Sequence, residues 1–185
     1  MNALQARDNS TLDLLAVRLD GVRVALSPVT GDIAAEIRRE YTPAVARYMI
    51  PAPSQDLGRV HEFIDASRAN MAAGDELVLG IHRRATGEFI GVCGLHNRDG
   101  GDTPELGIWL KAGAWGERLG REAIHVLVAW AKAHLAFDYL VYPVDKANIA
   151  SRRIAESLGG RLIRKRRRAS MSGYMLNERV YRIDP

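Results

Sequence analysis

The sequence predicts an α/β fold built on a mixed sheet, and three observations lead there. Apolar residues recur at helical spacing between 30 and 74, then at every second position between 77 and 96, so helices precede an antiparallel pair of strands. The stretch Glu105-Leu-Gly-Ile-Trp-Leu110 alternates as a strand and runs through a glycine-punctuated turn into a long amphipathic helix. A further strand, a second helix and two late strands complete an order that a mixed sheet explains.

Each element has a local reason. Residues 1–12 are polar and are expected to be loose, with one domain over 13–185. Val22-Arg-Val-Ala-Leu26 alternates as a strand. Thr30 is placed to cap a helix whose inner face holds Ile33, Ile37 and Tyr41, and Pro43 opens a short helical piece ending near Ile50. Pro51-Ala-Pro53 breaks the chain, and a helix from Ser54 carries Leu57, Val60, Ile64 and Met71 in register until Gly74 ends it. Leu77, Leu79 and Ile81 mark a strand, and Ala85-Thr-Gly-Glu88 a hairpin turn. Phe89–His96 is apolar on both faces and is therefore expected to be central. Asn97–Pro104 reads as a loop. In the next strand Leu106, Ile108 and Leu110 share one face, and Glu105, Gly107 and Trp109 the other. Leu119, Ala123, Leu127, Trp130 and His134 define the long helix. Tyr139–Val144 is a short strand, Asn148–Leu158 a helix stopped by Gly159-Gly160, and Arg161–Arg168 and Arg179–Ile183 are the last strands.

Composition narrows the function. The chain has 185 residues, 47% hydrophobic and 26% charged, as expected of a globular protein. A formal charge of +4 favours anionic ligands but is too small to imply nucleic acid. The single cysteine, Cys93, lies in an apolar run and reads as a buried thiol, not a nucleophile. There is no signal-peptide pattern and no apolar run long enough to span a bilayer, so a cytoplasmic location without membrane attachment is expected. Neither a Gly-x-Ser-x-Gly elbow nor metal-ligand spacing of His, Cys, Asp and Glu occurs.

The turn 115–121 is the strongest chemical signal. Where a strand meets a helix through glycines, unpaired N–H groups and the helix dipole converge into an anion site. The amides of Gly116, Glu117, Arg118, Leu119, Gly120 and Arg121 would cradle the phosphate of a phosphate-bearing cofactor. This stretch, with Asn148-Ile-Ala-Ser-Arg-Arg-Ile-Ala-Glu-Ser-Leu-Gly159, resembles the GNAT superfamily of acyl-CoA-dependent N-acetyltransferases. The second motif is similar to that of the ribosomal-protein N-terminal acetyltransferases. The resemblance covers roughly residues 20 to 183. It implies a mixed, mostly antiparallel central sheet flanked by helices and split near the strands Glu105–Leu110 and Tyr139–Val144. It also implies acetyl-CoA as co-substrate, no metal, and direct attack by a primary amine in a ternary complex. The acceptor would be a protein N-terminus or a small-molecule amine, and a homodimer is carried only as analogy.

By the same resemblance, the pantetheine arm would lie as an added strand along Ile108, Trp109 and Leu110. An N–H at Ile108 or Trp109 would polarise the thioester carbonyl. Glu105 is placed as general base, or only solvates a strand end. His96 is a second base candidate or a structural histidine. Ser151 is a proton donor to the leaving sulfur or an ordinary helix serine. The tyrosine that many members use falls at Ala155. Asn148 either meets the pantetheine or caps its helix. Trp109 lines the acceptor pocket or fills core. One departure stands out: Arg118 occupies the family's central turn glycine, where it either adds a phosphate contact or blocks the site. The competing reading is a catalytically inactive acyl-CoA-binding protein, or an RNA- or ribosome-associated one acting through the cationic run Arg164–Arg168. A strand sends alternate residues to opposite faces and no aromatics interleave this run, so an exposed edge strand is the simpler account and nucleic acid is disfavoured.

Overall fold

A computed structural model describes residues 3–8, 10–97 and 102–185. Its strands are β1 (Gln5–Ala6), β2 (Leu19–Asp20), β3 (Val24–Pro28), β4 (Glu76–Arg83), β5 (Phe89–His96), β6 (Glu105–Leu110), β7 (Leu135–Ala136), β8 (Leu140–Asp145), β9 (Arg161–Ala169) and β10 (Met175–Ile183). Its α-helices are α1 (Ala34–Glu40), α2 (Leu57–Ala72), α3 (Leu119–His134) and α4 (Ile149–Ser157). Eight strands form one sheet in the order β2-β3-β4-β5-β6-β8-β10-β9, while β1 pairs with β7. Every neighbouring pair in the large sheet is antiparallel except β6–β8. The mixed, mostly antiparallel sheet expected from the sequence is thus present.

β5 is central as expected, with every residue from Phe89 to Leu95 buried. α1 and α2 cover the face bearing Val78, Val92, Gly107 and Trp109. α3 covers the opposite face, where Gly120 lies against Ile108 and Leu110. His125 of α3 reaches Ser157 of α4 at 2.8 Å and ties the two helices together.

Several boundaries move for local reasons. The first long strand begins at Val24, because Gly21 N–H closes onto Val24 C=O and leaves Val22 85% exposed in a turn. Thr30 makes no capping bond to the backbone; its hydroxyl meets Asp32, and a 3-10 turn over Gly31–Ile33 precedes α1. The short helical piece after Pro43 is a 3-10 turn over Val45–Tyr48. α2 starts at Leu57, not Ser54, since Asp56 accepts the Gly58 N–H at 2.8 Å. The buried stripe of α3 passes through Ile124, Val128 and Ala131, leaving Trp130 half-buried and His134 exposed. In α4 the buried residue is Ala155, and Ala150 is exposed. β10 begins at Met175, four residues earlier than expected. The N-terminal segment, expected to be loose, carries β1, with Leu4 and Ala6 buried. The loop expected over 97–104 lies partly outside the described residues.

Two features position the site. β6 and β8 pair only at Glu105 and Val141, so they part beyond their first residues and the sheet splits. Pro143 sits in β8 past that point, where the split leaves no β6 partner to need its missing N–H. Arg118 has φ 63°, the only non-glycine in the left-handed region among the described residues. The position demands a left-handed conformation that glycine adopts freely, at a cost of roughly 1 kcal/mol for a residue with a side chain.

Gly91 is required by close approach: a Cβ there would lie 2.2 Å from the Trp109 carbonyl oxygen and 2.9 Å from Leu110 Cα. Gly91→Ala is expected to lower stability by about 2–3 kcal/mol in urea unfolding, by forcing β5 from β6. Arg118→Gly should stay within about 1 kcal/mol of the parent, as relief of strain and added unfolded-state freedom offset each other. Arg118→Val should lose about 1–2 kcal/mol.

Candidate active site

The side of the split facing α3 is built from backbone. Lys111 N–H bonds Ile90 of β5, so by alternation the amides of Trp109 and Gly107 also face β5, while those of Ile108 and Leu110 face the split. The two amides proposed from sequence therefore separate. Trp109 cannot offer its N–H to the split, and Ile108 does. The Leu110 carbonyl is taken by the Trp115 indole N–H at 2.9 Å, which pins the turn to the strand end. The N–H groups of residues 116–121 have no acceptor among the described residues, and α3 has no side-chain cap. Its first bond of this kind is Glu122 N–H to Arg118 C=O. Six backbone donors thus lie unpaired at and just before one helix start, a setting in which phosphate can bind. Gly120 has no room for a longer side chain, since its Cβ would already touch Leu110 at 3.1 Å.

Charged neighbours hold this turn. The Glu117 carboxylate turns away from it and pairs with Arg83 at 2.5 and 2.8 Å. Arg83 also bonds Glu88, which Lys111 meets at 2.6 Å. Arg83 and Lys111 hold the Glu117 and Glu88 carboxyls, respectively, below the ordinary carboxylate value. Arg23 joins Glu122 and the Glu117 carbonyl. Arg118 and Arg121 are exposed, with no carboxylate partner among the described residues.

Across the split, Asn148 caps α4: its Oδ1 accepts the Ser151 N–H at 3.1 Å. Its Nδ2 has no partner among the described residues, so capping leaves the amide donor available. Ser151 Oγ lies 2.8 Å from the hydroxyl of Tyr142, a buried residue of β8. Burial pushes the Tyr142 phenol well above its ordinary value, so it stays protonated.

The side facing α1 and α2 is built from side chains. Register places Glu76, His96 and Glu105 in one row across β4, β5 and β6. His96 Nδ1 is 2.6 Å from Glu76 Oε2. A carboxylate only accepts, so Nδ1 carries a proton, and in the neutral ring Nε2 is the nitrogen with the lone pair. Nε2 has no partner among the described residues and leans over Gly94 and Gly107, paired glycines that leave the floor bare. Glu105 pairs with Arg166 at 3.3 Å, and Arg166 also bonds the buried Glu178.

Two clefts share His96 and Glu105. The larger, about 260 Å³, is walled by apolar side chains including Tyr41, Phe63 and Trp109. The Trp109 ring packs on Tyr41 and Phe89 at 4.9 and 5.9 Å, so it fills core and lines the cleft at once. Met171 N–H bonds Ile50 C=O at 2.8 Å, tying the β9–β10 turn to the segment bordering this cleft. The second cleft, about 220 Å³, is lined by Thr103, Tyr139 and Arg164. Cys93 is buried, which pushes its thiol well up and leaves it no role as nucleophile.

Sequence reasoning missed Glu76, Tyr142 and Arg166. Hairpin counting from the turn at 85–88 was the one available signal for a partner to His96. A tyrosine in a short central strand signals a hydroxyl needing a partner. Nothing local connects Arg166 to Glu105. Among the described residues, no group of three or more His, Cys, Asp or Glu could hold a metal ion, and no helix is long and apolar enough to cross a membrane.

Known proteins agree with this architecture. Mycobacterium smegmatis RimJ in complex with CoA-disulfide superposes with a TM-score of 0.80 at 16% identity, covering 92% of this chain and 88% of its own. The microcin self-immunity acetyltransferase MccE, in complex with acetyl-CoA and AMP, gives 0.75 at 18% identity over 89% and 93%. RimL, a ribosomal α-N-protein acetyltransferase, gives 0.75 at 11% identity over 91% and 94%. No curated protein sequence matches the chain. The acetyltransferase (GNAT) domain model matches residues 23–161, three quarters of the chain, and with the split sheet and the open helix start this chain belongs to the GNAT acetyltransferase family.

Proposed function

We propose that the protein transfers an acetyl group from acetyl-CoA to a primary amine, by direct attack in a ternary complex. The observation that carries this reading is the row of unengaged donors, Ile108 N–H in the split and residues 116–121 at the start of α3, spaced along one path. Acetyl-CoA, when bound, supplies an acetyl group activated as a thioester. Residues 116–121 would hold the pyrophosphate, the free edge at Ile108 and Leu110 the amide arm, and Asn148 Nδ2 an arm carbonyl. Arg118 and Arg121, unpaired at the same helix start, add charge toward phosphate.

The chain's own residues then divide the proton traffic. His96 Nε2 takes the proton from the incoming ammonium, and Glu76 steadies the imidazolium that forms. Glu105, facing the same clefts and paired with Arg166, attracts the ammonium and orients it. Ile108 N–H faces the developing oxyanion. Ser151 Oγ–H donates toward the leaving sulfur, with Tyr142 O–H behind it. The acceptor is an amine on a protein N-terminus or a small molecule. Location in the cytoplasm and a single domain over 13–185 belong to the same reading.

Calorimetric titration with acetyl-CoA should give micromolar binding, and Arg118→Gly should weaken it about three- to tenfold. Absence of binding at millimolar acetyl-CoA would overturn the enzyme reading in favour of an inactive relative. In thiol-release kinetics, His96→Gln should lower kcat by roughly 10²–10⁴. Glu76→Gln should lower kcat less, since Glu76 positions the ring without itself taking the proton. Glu105→Gln should chiefly raise the acceptor KM. A kcat collapse in Glu105→Gln with near-normal His96→Gln would make Glu105 the base.

A further inference from the structure

The two clefts that meet at His96 and Glu105 differ in chemistry. One is walled by Tyr41, Phe63 and Trp109; the other is lined by the polar residues Thr103, Tyr139 and Arg164. Arg164 has no hydrogen bond or ion pair with another described residue, whereas Arg166, two residues on, is balanced by Glu178 and Glu105. Glu105 is therefore compensated, and Arg164 is the uncompensated charge of the polar cleft. Register aims it there. β9 pairs Arg164 with Val180 in the same unbroken run that pairs Arg166 with Glu178, so the two arginines share a face, and Arg164 lines the cleft.

Resting on the acetyltransferase reading above, we infer that the acceptor carries a carboxylate beside its amine, held in the polar cleft by Arg164 with Thr103 and Tyr139. The amine then sits at the junction against His96 and Glu105, and an apolar group enters the larger cleft. An apolar amino acid offers this set through its α-carboxylate. A protein N-terminus offers it through an acidic second residue. Charge-assisted bonds to a guanidinium distinguish both from the neutral amide.

The test compares kcat/KM for phenylalanine against phenylalaninamide, and for a phenylalanyl-aspartyl against a phenylalanyl-asparaginyl peptide. Each ratio is measured in the parent, in Arg164→Gln and in Arg167→Gln. Arg167 lies on the opposite face of β9, is exposed, and loses the same charge. At least one carboxylate preference should fall about ten- to hundredfold in Arg164→Gln and hold in Arg167→Gln. A change in the amino-acid pair assigns the α-carboxylate, and a change confined to the peptide pair assigns the second residue. Equal effects of the two variants on both pairs would overturn the inference. Calorimetry of phenylalanine with the CoA-saturated protein separates the two readings. Arg164-dependent binding without transfer to any amine keeps the anion cleft and overturns the transferase. Transfer to neutral amines without an Arg164-specific effect does the reverse.

Discussion

The separation of β6 from β8 after one pairing, at Glu105 and Val141, is the constraint on which the rest of the site depends. A sheet interior normally pairs every backbone N–H and C=O, and leaving a row of them open is costly unless water or a ligand replaces the partner. Here the open row is managed locally. Pro143 removes one donor, the Trp115 indole takes the Leu110 carbonyl, and Ile108 remains facing the gap. The turn after β6 then delivers the start of α3 beside the same gap, so two kinds of open backbone donor lie along one path.

The two sides of the sheet use different materials. The side toward α3 relies on backbone, which depends on conformation more than on residue type; Arg118 can stand at a glycine position because its amide and φ are what matter. Arg83, Glu88, Lys111 and Glu117 brace that conformation in a connected set of ion pairs. Exposed pairs contribute little stability singly. Their value here is positional: the Glu117 carboxylate is held on Arg83.

The side toward α1 and α2 relies on side chains, and its chemistry follows from which charges neutralise which. Arg166 occupies Glu105, Glu76 orients His96, and the His96 Nε2 therefore stands over a bare glycine floor. The half-sheet β8-β10-β9 matters as much as β6 does, because Arg164 and Arg166 arrive from β9, at the far edge.

Much of this was legible in the chain. Alternation in 105–110, the glycines of 116–120, and the Asn148–Ser151 spacing are local patterns, and local patterns determine strands, turns and caps directly. The sequence therefore determined the fold class, the central position of β5, the burial of Cys93 and the glycine turn that opens α3. Pairings that depend on bulges were not legible. Counting from the hairpin turn without the irregularity between Ile81 and His82 would set Asp75 opposite His96; with it, Glu76 stands there. The register of β9 on β10 decides where Arg164 points: paired with Val180, it shares a face with Arg166. A one-residue slip reverses the face of every side chain beyond it. Only the tertiary structure could decide which carboxylate orients His96, which arginine restrains Glu105 and which amide faces the split, because each rests on register between segments that no local pattern connects.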